Sequence, residues 1–243
     1  MTENGSNVAV VIPVFEADGR LANTIREIPD WVRWRIVVDD GSEPPVQLEE
    51  SDRMIVVRHP RNLGVGAAIL TGYRTARPLG CDVIAVMGAD GQMDPSDLER
   101  VVAPVLRGEA DYVVGDRLSH PDCPRTMPAI RRLGNYGLTF WTRWTSGYRD
   151  LMDSQCGFTA IRAEALERLP LDWLYPRYGF PNDLLAALGG AGARVCQVVV
   201  RPIYRGERSG IRPAVALVVY PFVLLRSRVV RAVAASRARS HGA

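Results

Sequence analysis

Short apolar segments that stop abruptly at acidic and glycine residues recur along this chain, and they restrict its fold more than any other feature. The clearest is residues 81–87, which is followed directly by Gly88-Ala89-Asp90-Gly91-Gln92. A short and nearly continuous apolar run is typical of a parallel strand that is covered on both faces. The glycines and Pro95 then end the strand.

The polar residues after this strand are candidates for binding a ligand. In open α/β sheets, ligands collect outside the carboxyl ends of the strands, so Asp90, Gln92 and Asp94 are placed where a ligand or a hard cation binds. The same letters also fit an Asp-Gly turn followed by a helix that begins at Asp94-Pro95. Both interpretations stay open at this point.

Apolar runs and helical spacing alternate through most of the sequence. Strands are predicted for residues 8–14, 35–38, 54–58, 81–87, 110–114 and 194–200, and residues 159–161 form a further short apolar segment. Helices are predicted for residues 21–28, 67–76, 95–106 and 130–146, and another helix follows residue 183. This alternation predicts an α/β fold, with a doubly wound, mainly parallel sheet and helices on both faces. Residues 118–128, rich in Pro, Asp and Ser, are predicted to form a mobile loop.

The charged residues are distributed unevenly along the chain, and the basic ones are of a single type. The formal charge is +3, but residues 201–243 contain nine Arg against the single acid Glu207, so the first 200 residues are net acidic. All thirty basic residues are Arg. A bound phosphate must therefore be held by arginine forks, backbone amides, hydroxyls or a metal. Aromatic and basic residues are not interleaved as in nucleic-acid binders, so we predict no nucleic-acid partner.

The four cysteines and the N-terminal residues indicate the cellular compartment of the protein. Cys81, Cys123, Cys156 and Cys196 lie far apart without a C-x-x-C pair, which favours free thiols in a reducing environment. The first seven residues lack the charged and apolar regions of a signal peptide. These features predict a cytoplasmic protein.

The C-terminal segment is a basic apolar tail. We divide the chain into one domain over residues 1–212 and a helical appendage over residues 213–243. The segment is apolar through Leu225 and then carries Arg226, Arg228 and Arg231, which makes it too short and too charged for a confident transmembrane helix. It fits an amphipathic helix lying in a membrane interface. The alternative is a helix docked on the domain or on a partner subunit of a homo-oligomer.

Six motifs together resemble a known family. They are Val11-Ile12-Pro13-Val14-Phe15-Glu16, Val37-Val38-Asp39-Asp40-Gly41-Ser42, Arg61-Asn62-Leu63-Gly64, Ala89-Asp90-Gly91-Gln92-Met93-Asp94-Pro95, Gly115-Asp116-Arg117 and Asp153-Ser154-Gln155-Cys156-Gly157-Phe158. Their order over residues 8–210 resembles the family 2 inverting glycosyltransferases with the GT-A fold, especially the polyprenyl-phosphate glycosyltransferases similar to dolichyl-phosphate mannose synthase. The resemblance implies a Rossmann-like domain that uses a nucleotide-diphosphate sugar.

The resemblance also implies roles for individual residues. The donor nucleotide and sugar are expected to contact Pro13, Phe15, Glu16, Asp39, Asp40, Asp90 and Asp153. The acceptor phosphate is expected to contact Arg117, Arg131 and Asn135, with Arg205 and Ser209 on a loop that closes over the site. Asp90 and Gln92 match the family's metal and diphosphate motif. Separately, Gly64 and Gly66 would let the backbone approach a phosphate at a helix N-terminus, and close packing explains these glycines nearly as well.

One position departs from the family pattern. The family motif usually has two acids separated by one residue, and Gly88 stands where the first acid is expected. Because Mg²⁺ commonly takes only one or two carboxylates together with diphosphate and water, Asp90 alone can suffice. We therefore still expect a divalent metal, Mg²⁺ or Mn²⁺.

The expected reaction is inverting transfer of the sugar to a polyprenyl phosphate, on the inner face of a membrane where the protein is peripheral. A phosphate monoester is largely dianionic at neutral pH and is already a nucleophile, so no strong base is needed. A hydroxyl acceptor would instead need a base, for which Asp183 is the candidate; Asn182 or Asp183 also fits a helix cap. A third alternative is a non-catalytic protein that binds nucleotide-sugars.

Overall fold

A seven-stranded sheet forms the centre of the computed structural model, which describes residues 7–16, 19–48, 51–204 and 213–241. The strands are β1 (Val8–Val14), β2 (Trp34–Asp39), β3 (Met54–Arg58), β4 (Val83–Val86), β5 (Tyr112–Asp116), β6 (Thr159–Arg162) and β7 (Val195–Val199). Their spatial order is β3-β2-β1-β4-β6-β5-β7. The pairs β3-β2, β2-β1, β1-β4 and β5-β7 are parallel, which confirms the predicted mainly parallel sheet.

Helices flank this sheet, as the alternating pattern predicts. They are α1 (Leu21–Glu27), α2 (Val65–Ala76), α3 (Leu98–Leu106), α4 (Cys123–Thr126), α5 (Ala129–Ser146), α6 (Ala163–Glu167), α7 (Phe180–Gly190) and α8 (Pro213–His241). The turn interpretation of Asp94 is confirmed, because its carboxylate accepts from the Ser96 amide at 3.0 Å and starts a short 3₁₀ turn. Helix α3 begins only after that turn.

Strand β6 is the exception to the parallel arrangement and matters for the site. It lies between β4 and β5 and runs antiparallel to both. Its first residue therefore lies at the edge of the sheet where the other strands end. This orientation carries the preceding residues, Asp153 to Phe158, to the carboxyl edge.

The core surrounds the central strands. Residues from Val8 to Ile12 in β1 are fully buried, and all of β4 is buried, as expected for apolar runs covered on both faces. Helix α2 packs closely on β1, because a Cβ at Gly72 would lie 2.7 Å from Cγ2 of Val11. The four cysteines are free thiols, as predicted.

The segment over residues 118–128, predicted to be a mobile loop, is more ordered than predicted. This segment contains α4, and Leu118, Cys123 and Met127 are buried together against Tyr204. Apolar residues dispersed among Pro, Asp and Ser give no periodic signal, so the sequence pattern does not reveal this small cluster.

Helix α8 packs on the domain between Val223 and Ala234. Val223, Ser227, Val230 and Ala234 are buried against α7 and α5, which is the alternative of a helix docked on its own domain. The predicted boundary at residue 212 falls outside the described residues. Among the helices in the described part of the chain, none combines the length and apolar content that a membrane crossing requires.

Candidate functional site

The carboxyl edge of the sheet gathers most of the predicted site residues. Val14 of β1 pairs with Asp39 of β2, and Val11 of β1 pairs with Val86 at the end of β4. Since neighbouring strands lie about 4.8 Å apart, β2 and β4 are separated sideways by about 10 Å across β1. Asp39 and the loop that carries Asp90 therefore border one crevice.

A cavity of about 420 Å³ opens beside the ends of β1 and β2. Its described lining consists of Glu16, Gly19, Leu21, Ala22, Ser42, Glu43, Pro44, Pro45, Val46, Gln47 and Leu48. Glu16 has a φ of 50°, and its amide donates to Oγ of Ser42 at 2.9 Å. Glu16 thus lies on the predicted donor side, whereas Pro13 is partly buried in β1 and Phe15 is exposed next to the cavity.

The Asp39 carboxylate fixes the backbone that forms one wall of this cavity. Its carboxylate is buried and accepts from the amides of Ser42 at 2.9 Å and Val46 at 3.2 Å. Burial acts to raise the pKa of Asp39, but the Ser42 and Val46 hydrogen bonds and Arg58 outweigh it, so the pKa lies below its usual value. Asp39 is therefore ionised and shapes the wall; a direct contact with a nucleotide stays a prediction.

Asp40 has a structural role that replaces its predicted contact with the donor. One carboxylate oxygen accepts from the Leu63 amide at 2.9 Å and lies 2.6 Å from Nδ1 of His59; the other accepts from the Gly64 amide at 2.8 Å. The side chain is buried, and His59 continues to the Thr71 hydroxyl at 2.9 Å. Asp40 therefore fixes the loop that leads into α2.

Gly64 does not form the predicted phosphate cradle. Its amide is held by Asp40, and a Cβ at its φ of 109° would lie 2.5 Å from the carbonyl oxygen of Pro176. A Cβ on Gly66 would likewise lie 2.7 Å from the carbonyl oxygen of Tyr175. Close packing against the segment before α7 accounts for both glycines, which was the alternative interpretation.

Asp90 and Gln92 lie on the exposed loop after β4. Oδ1 of Asp90 accepts from the Gln92 amide at 3.0 Å, and its backbone carbonyl accepts from Arg20 at 2.9 Å. A Cβ at Gly88 would lie 3.2 Å from the same Oδ1, so an acid there would stand beside Asp90. Within the described residues, no group of three or more His, Cys, Asp or Glu side chains is arranged to hold a metal. Asp94 on this loop caps the following turn, so Asp90 is the carboxylate that we assign to the metal; one carboxylate fits Mg²⁺ or Mn²⁺ when a diphosphate and water complete the coordination.

The partly buried Arg117 and the fully buried Asp153 form an ion pair at the same edge. Nε of Arg117 donates to Oδ2 of Asp153 at 2.8 Å, its Nη2 donates to Oδ1 at 3.1 Å, and its Nη1 donates to the Tyr204 hydroxyl at 3.3 Å. Burial opposes the charge of Arg117, but Asp153 outweighs it and holds the pKa well above its usual value. Asp153 is fully buried, so it orients Arg117 instead of facing the donor sugar as predicted.

Arg131 joins this pair through an aromatic ring. Its guanidinium carbon lies 5.1 Å from the centre of the Tyr204 ring, within cation–π range. Asn135, one turn later on α5, donates to Sδ of Met127 at 3.8 Å. Arg117 and Arg131, which are predicted to bind one phosphate, thus both contact Tyr204. Arg117 contacts its hydroxyl, and Arg131 lies over its ring. Arg205 and Ser209 lie outside the described residues.

Asp183 is closed to an acceptor, so its predicted role as a base is wrong for this arrangement. It is fully buried and accepts from the Tyr175 amide at 2.9 Å, from the Ser227 hydroxyl at 2.5 Å and from the Arg226 guanidinium. Burial raises the pKa of Asp183, although these partners act to lower it. Arg226 and Ser227 belong to α8, so the C-terminal helix covers this carboxylate.

Sequence analysis missed Tyr204, the residue that links the two arginines. Tyr204 follows the end of β7 by five residues, at the carboxyl edge. Its position after a predicted strand was available as a signal, but a lone aromatic residue in a loop does not reveal its neighbours. Ser42 lines the cavity and accepts a hydrogen bond from the Glu16 amide. The sequence motif that contains Ser42 predicts no separate role for it.

Known glycosyltransferases are similar to this chain over most of its length. The family model described as Glycosyl transferase family 2 matches residues 9–170. The UDP-N-acetylglucosamine–dolichyl-phosphate N-acetylglucosaminyltransferase of Methanococcus voltae is 29% identical over 81% of this chain and 86% of its own length. The undecaprenyl-phosphate mannosyltransferase of Micrococcus luteus is 27% identical over 82% of this chain and 84% of its own length.

A solved structure shares the fold. Glucosyl-3-phosphoglycerate synthase from Mycobacterium tuberculosis, in complex with Mn²⁺, uridine diphosphate and phosphoglyceric acid, superimposes with a TM-score of 0.65. The match covers 93% of this chain and 78% of that chain at 20% sequence identity. This likeness confirms the expected architecture of a mainly parallel sheet flanked by helices.

Proposed function

The chain belongs to glycosyl transferase family 2 and is a glycosyltransferase, and from that premise we propose that it transfers a sugar, with inversion, from a nucleotide-diphosphate sugar to a polyprenyl phosphate. We place the reaction at the inner face of a membrane, to which the protein binds peripherally. The donor occupies the crevice at the carboxyl edge, and the acceptor phosphate approaches from the side of Arg117 and Arg131.

The donor half of the proposal is supported by the cavity beside β1 and β2. Its volume of about 420 Å³ lies within the usual range for a ligand pocket of about 300–1,000 Å³. The Ser42 to Leu48 wall, fixed by Asp39, provides a rigid surface for the nucleoside. The diphosphate then extends across β1 toward Asp90.

A divalent cation fits at Asp90, with Gln92 beside it. When bound there, such a cation supplies positive charge to the diphosphate as the bond to the sugar breaks. The contribution of the chain is the Asp90 carboxylate, held in orientation by the Gln92 amide at 3.0 Å.

The observation that carries the choice of acceptor is the contrast between Asp183 and the arginine pair. The carboxylate that would have to activate a hydroxyl is sealed by Arg226 and Ser227. Arg117, in contrast, is fixed by Asp153, with Arg131 on the same tyrosine ring, which suits a dianionic phosphate. A phosphate oxygen attacks without a base, so this site needs binding and orientation more than proton transfer.

The names of two relatives point to the same class of acceptor. One relative is a dolichyl-phosphate transferase and the other is an undecaprenyl-phosphate transferase, and each match spans more than four fifths of both chains. Both acceptors are lipids with a phosphate head, which supports a membrane as the place of reaction.

The test is an acceptor screen with the full-length protein. Purified protein is incubated with Mn²⁺, polyprenyl phosphate in detergent and a panel of uridine and guanosine diphosphate sugars, and the organic extract is analysed by mass spectrometry. We expect a sugar-phosphate-lipid product of opposite anomeric configuration from one donor. Transfer to a soluble alcohol without any lipid product would overturn the choice of acceptor.

A pair of variants locates the acceptor site in the same assay. Arg131→Gln should raise the KM for the lipid by about tenfold or more, because a charge-assisted contact to phosphate is lost. The matched control is Arg107→Gln, which removes an exposed arginine that follows α3 at the opposite edge of the sheet. Equal losses in both variants would mean that Arg131 has no special place in the site.

A further inference from the structure

Helix α5 is inverted relative to an ordinary surface helix. Its buried residues are small and polar, namely Thr139, Thr142, Thr145 and Ser146. Its bulky apolar residues face outward instead: Ile130 is 79% exposed and Phe140 is 63% exposed. A surface helix normally buries its apolar stripe, so this arrangement implies that another apolar phase covers the outer face.

The outward residues form one continuous surface, which we call the α5 outer face. It consists of Ile130, Leu133, Tyr136, Phe140, Trp141 and Trp144. At about 100° per residue these positions fall within an arc of about 140°, less than half of the helix circumference. Phe140, Trp141 and Trp144 make successive edge contacts, with ring centres 5.7 and 6.2 Å apart.

The charged residues of the two helices at this face are all basic. Helix α5 contains three arginines and α8 contains five, and neither helix contains Asp or Glu. Arg228 of α8 lies 4.7 Å from the centre of the Trp144 ring, so the basic residues of α8 adjoin the aromatic row. An apolar, aromatic surface that adjoins the arginines of two helices without acids complements an anionic lipid interface, where Trp and Tyr are enriched.

We propose that the α5 outer face docks on a bilayer containing anionic phospholipids, with Arg228 and the other arginines that adjoin this face at the headgroups. A second copy of the chain is a poorer occupant, because a two-fold symmetric contact would bring the arginines of these two helices close to their own copies. The inference deepens the proposed function and rests on its membrane location. It identifies α5, rather than the tail alone, as the part that inserts.

The geometry also connects this face with the acceptor site. Arg131, which lies over Tyr204, is on the first turn of the same helix that carries the outer face. A lipid phosphate at the headgroup level would therefore meet the arginine pair while its hydrocarbon chain stays in the bilayer.

The test is co-sedimentation with vesicles that contain no polyprenyl phosphate and no sugar donor. The full chain is mixed with vesicles of phosphatidylcholine and phosphatidylglycerol, or of phosphatidylcholine alone. We expect binding to the anionic vesicles, weaker binding to the neutral ones, and a partition coefficient about tenfold or more lower for the double variant Phe140→Ser, Trp141→Ser. The matched control is Trp173→Ser, an exposed tryptophan on another element, which should bind like the wild type.

Several outcomes would overturn the inference. They are no binding of the wild type to anionic vesicles, equal binding by the double variant, or equal binding to neutral vesicles. A wild-type dimer that the double variant converts to monomers, without vesicle binding, would assign the face to a second copy. Because the vesicles lack acceptor, this failure is distinct from a failed acceptor screen. Thermal melting of each variant verifies that it is folded.

Discussion

At the scale of single residues, acids at neighbouring strand ends have different roles because of what each carboxylate reaches. Asp39 and Asp40 are buried and accept from backbone amides, so they fix loops. Asp153 is buried against an arginine and orients it. Asp90 is exposed on the loop after β4, and we assign the cation to it. Burial without donors is costly, which explains why the enclosed acids are the ones that hold the chain together.

The Arg117–Asp153 pair should be important for stability as well as for activity. Asp153→Asn leaves a buried guanidinium without its bidentate carboxylate, so we expect the free energy of unfolding to fall by about 3–5 kcal/mol. Urea unfolding followed by circular dichroism measures the change. Glu109→Gln, which breaks the exposed Arg107 pair, is the control and should leave the midpoint nearly unchanged. A similar midpoint for both variants would contradict the structural role of Asp153.

Restoring an acid at residue 88 should strengthen the metal site. A Cβ there lies 3.2 Å from Oδ1 of Asp90, so Gly88→Asp places a second carboxylate beside the first. We expect the Mn²⁺ affinity, measured by calorimetry with a bound nucleoside diphosphate, to rise roughly tenfold or more. Gly88→Asn has the same size without the charge and is the matched control. An equal effect of Asn and Asp, or none from Asp, would place the cation elsewhere.

At the scale of elements, glycines allow the helices around Asp183 to approach one another. A Cβ on Gly189 of α7 would collide with the carbonyl oxygen of Ser146 in α5, and one on Gly190 with that of Arg231 in α8. This three-helix contact is what lets α8 reach and cover Asp183. The close approach of α8 therefore bears on function as well as on packing.

Adding a side chain at Gly189 should weaken the packing of α7 on α5. Gly189→Ala is expected to lower the free energy of unfolding by about 1–3 kcal/mol, because the added methyl group meets backbone that must shift. Gly134→Ala on α5 meets nothing within 4 Å and should raise it by about 0.5–1 kcal/mol through the better helix propensity of alanine. Denaturant titration of the two variants provides the comparison. Stabilisation by Gly189→Ala would show that the helices are not in close contact.

At the scale of the whole molecule, periodicity predicts the strands and their common edge, but it does not predict side-chain partners. The ends of β1, β2 and β4 lie where the apolar runs indicate. The Arg117–Asp153 pair joins residues far apart in sequence, through a strand whose antiparallel direction no local pattern encodes. The covering of Asp183 by α8 and the reversed faces of α5 are likewise tertiary facts. Sequence alone therefore predicts the common edge where we place the candidate site, while packing decides which residues there are accessible.

The molecule also has a second cavity, and the two lie at opposite edges of the sheet. The second cavity, of about 690 Å³, is lined by Gly108, Asp111, Arg162, Glu164, Glu167, Arg168 and Arg194. It adjoins the start of β5 and the end of the antiparallel β6, away from the strand-end acids. Its three arginines are matched by three acids, so this cavity is less suited to an anionic nucleotide, and the position of a bound nucleotide discriminates between the two edges.

A crystal structure with Mn²⁺ and the nucleoside diphosphate that supports transfer tests the central claim most directly. The account predicts the nucleoside in the cavity between Glu16 and Leu48, with the metal and diphosphate at Asp90 and the acceptor side open toward Arg117 and Arg131. A nucleotide bound instead at Asp111 and Arg194, with no density at the ends of β1, β2 and β4, would contradict it.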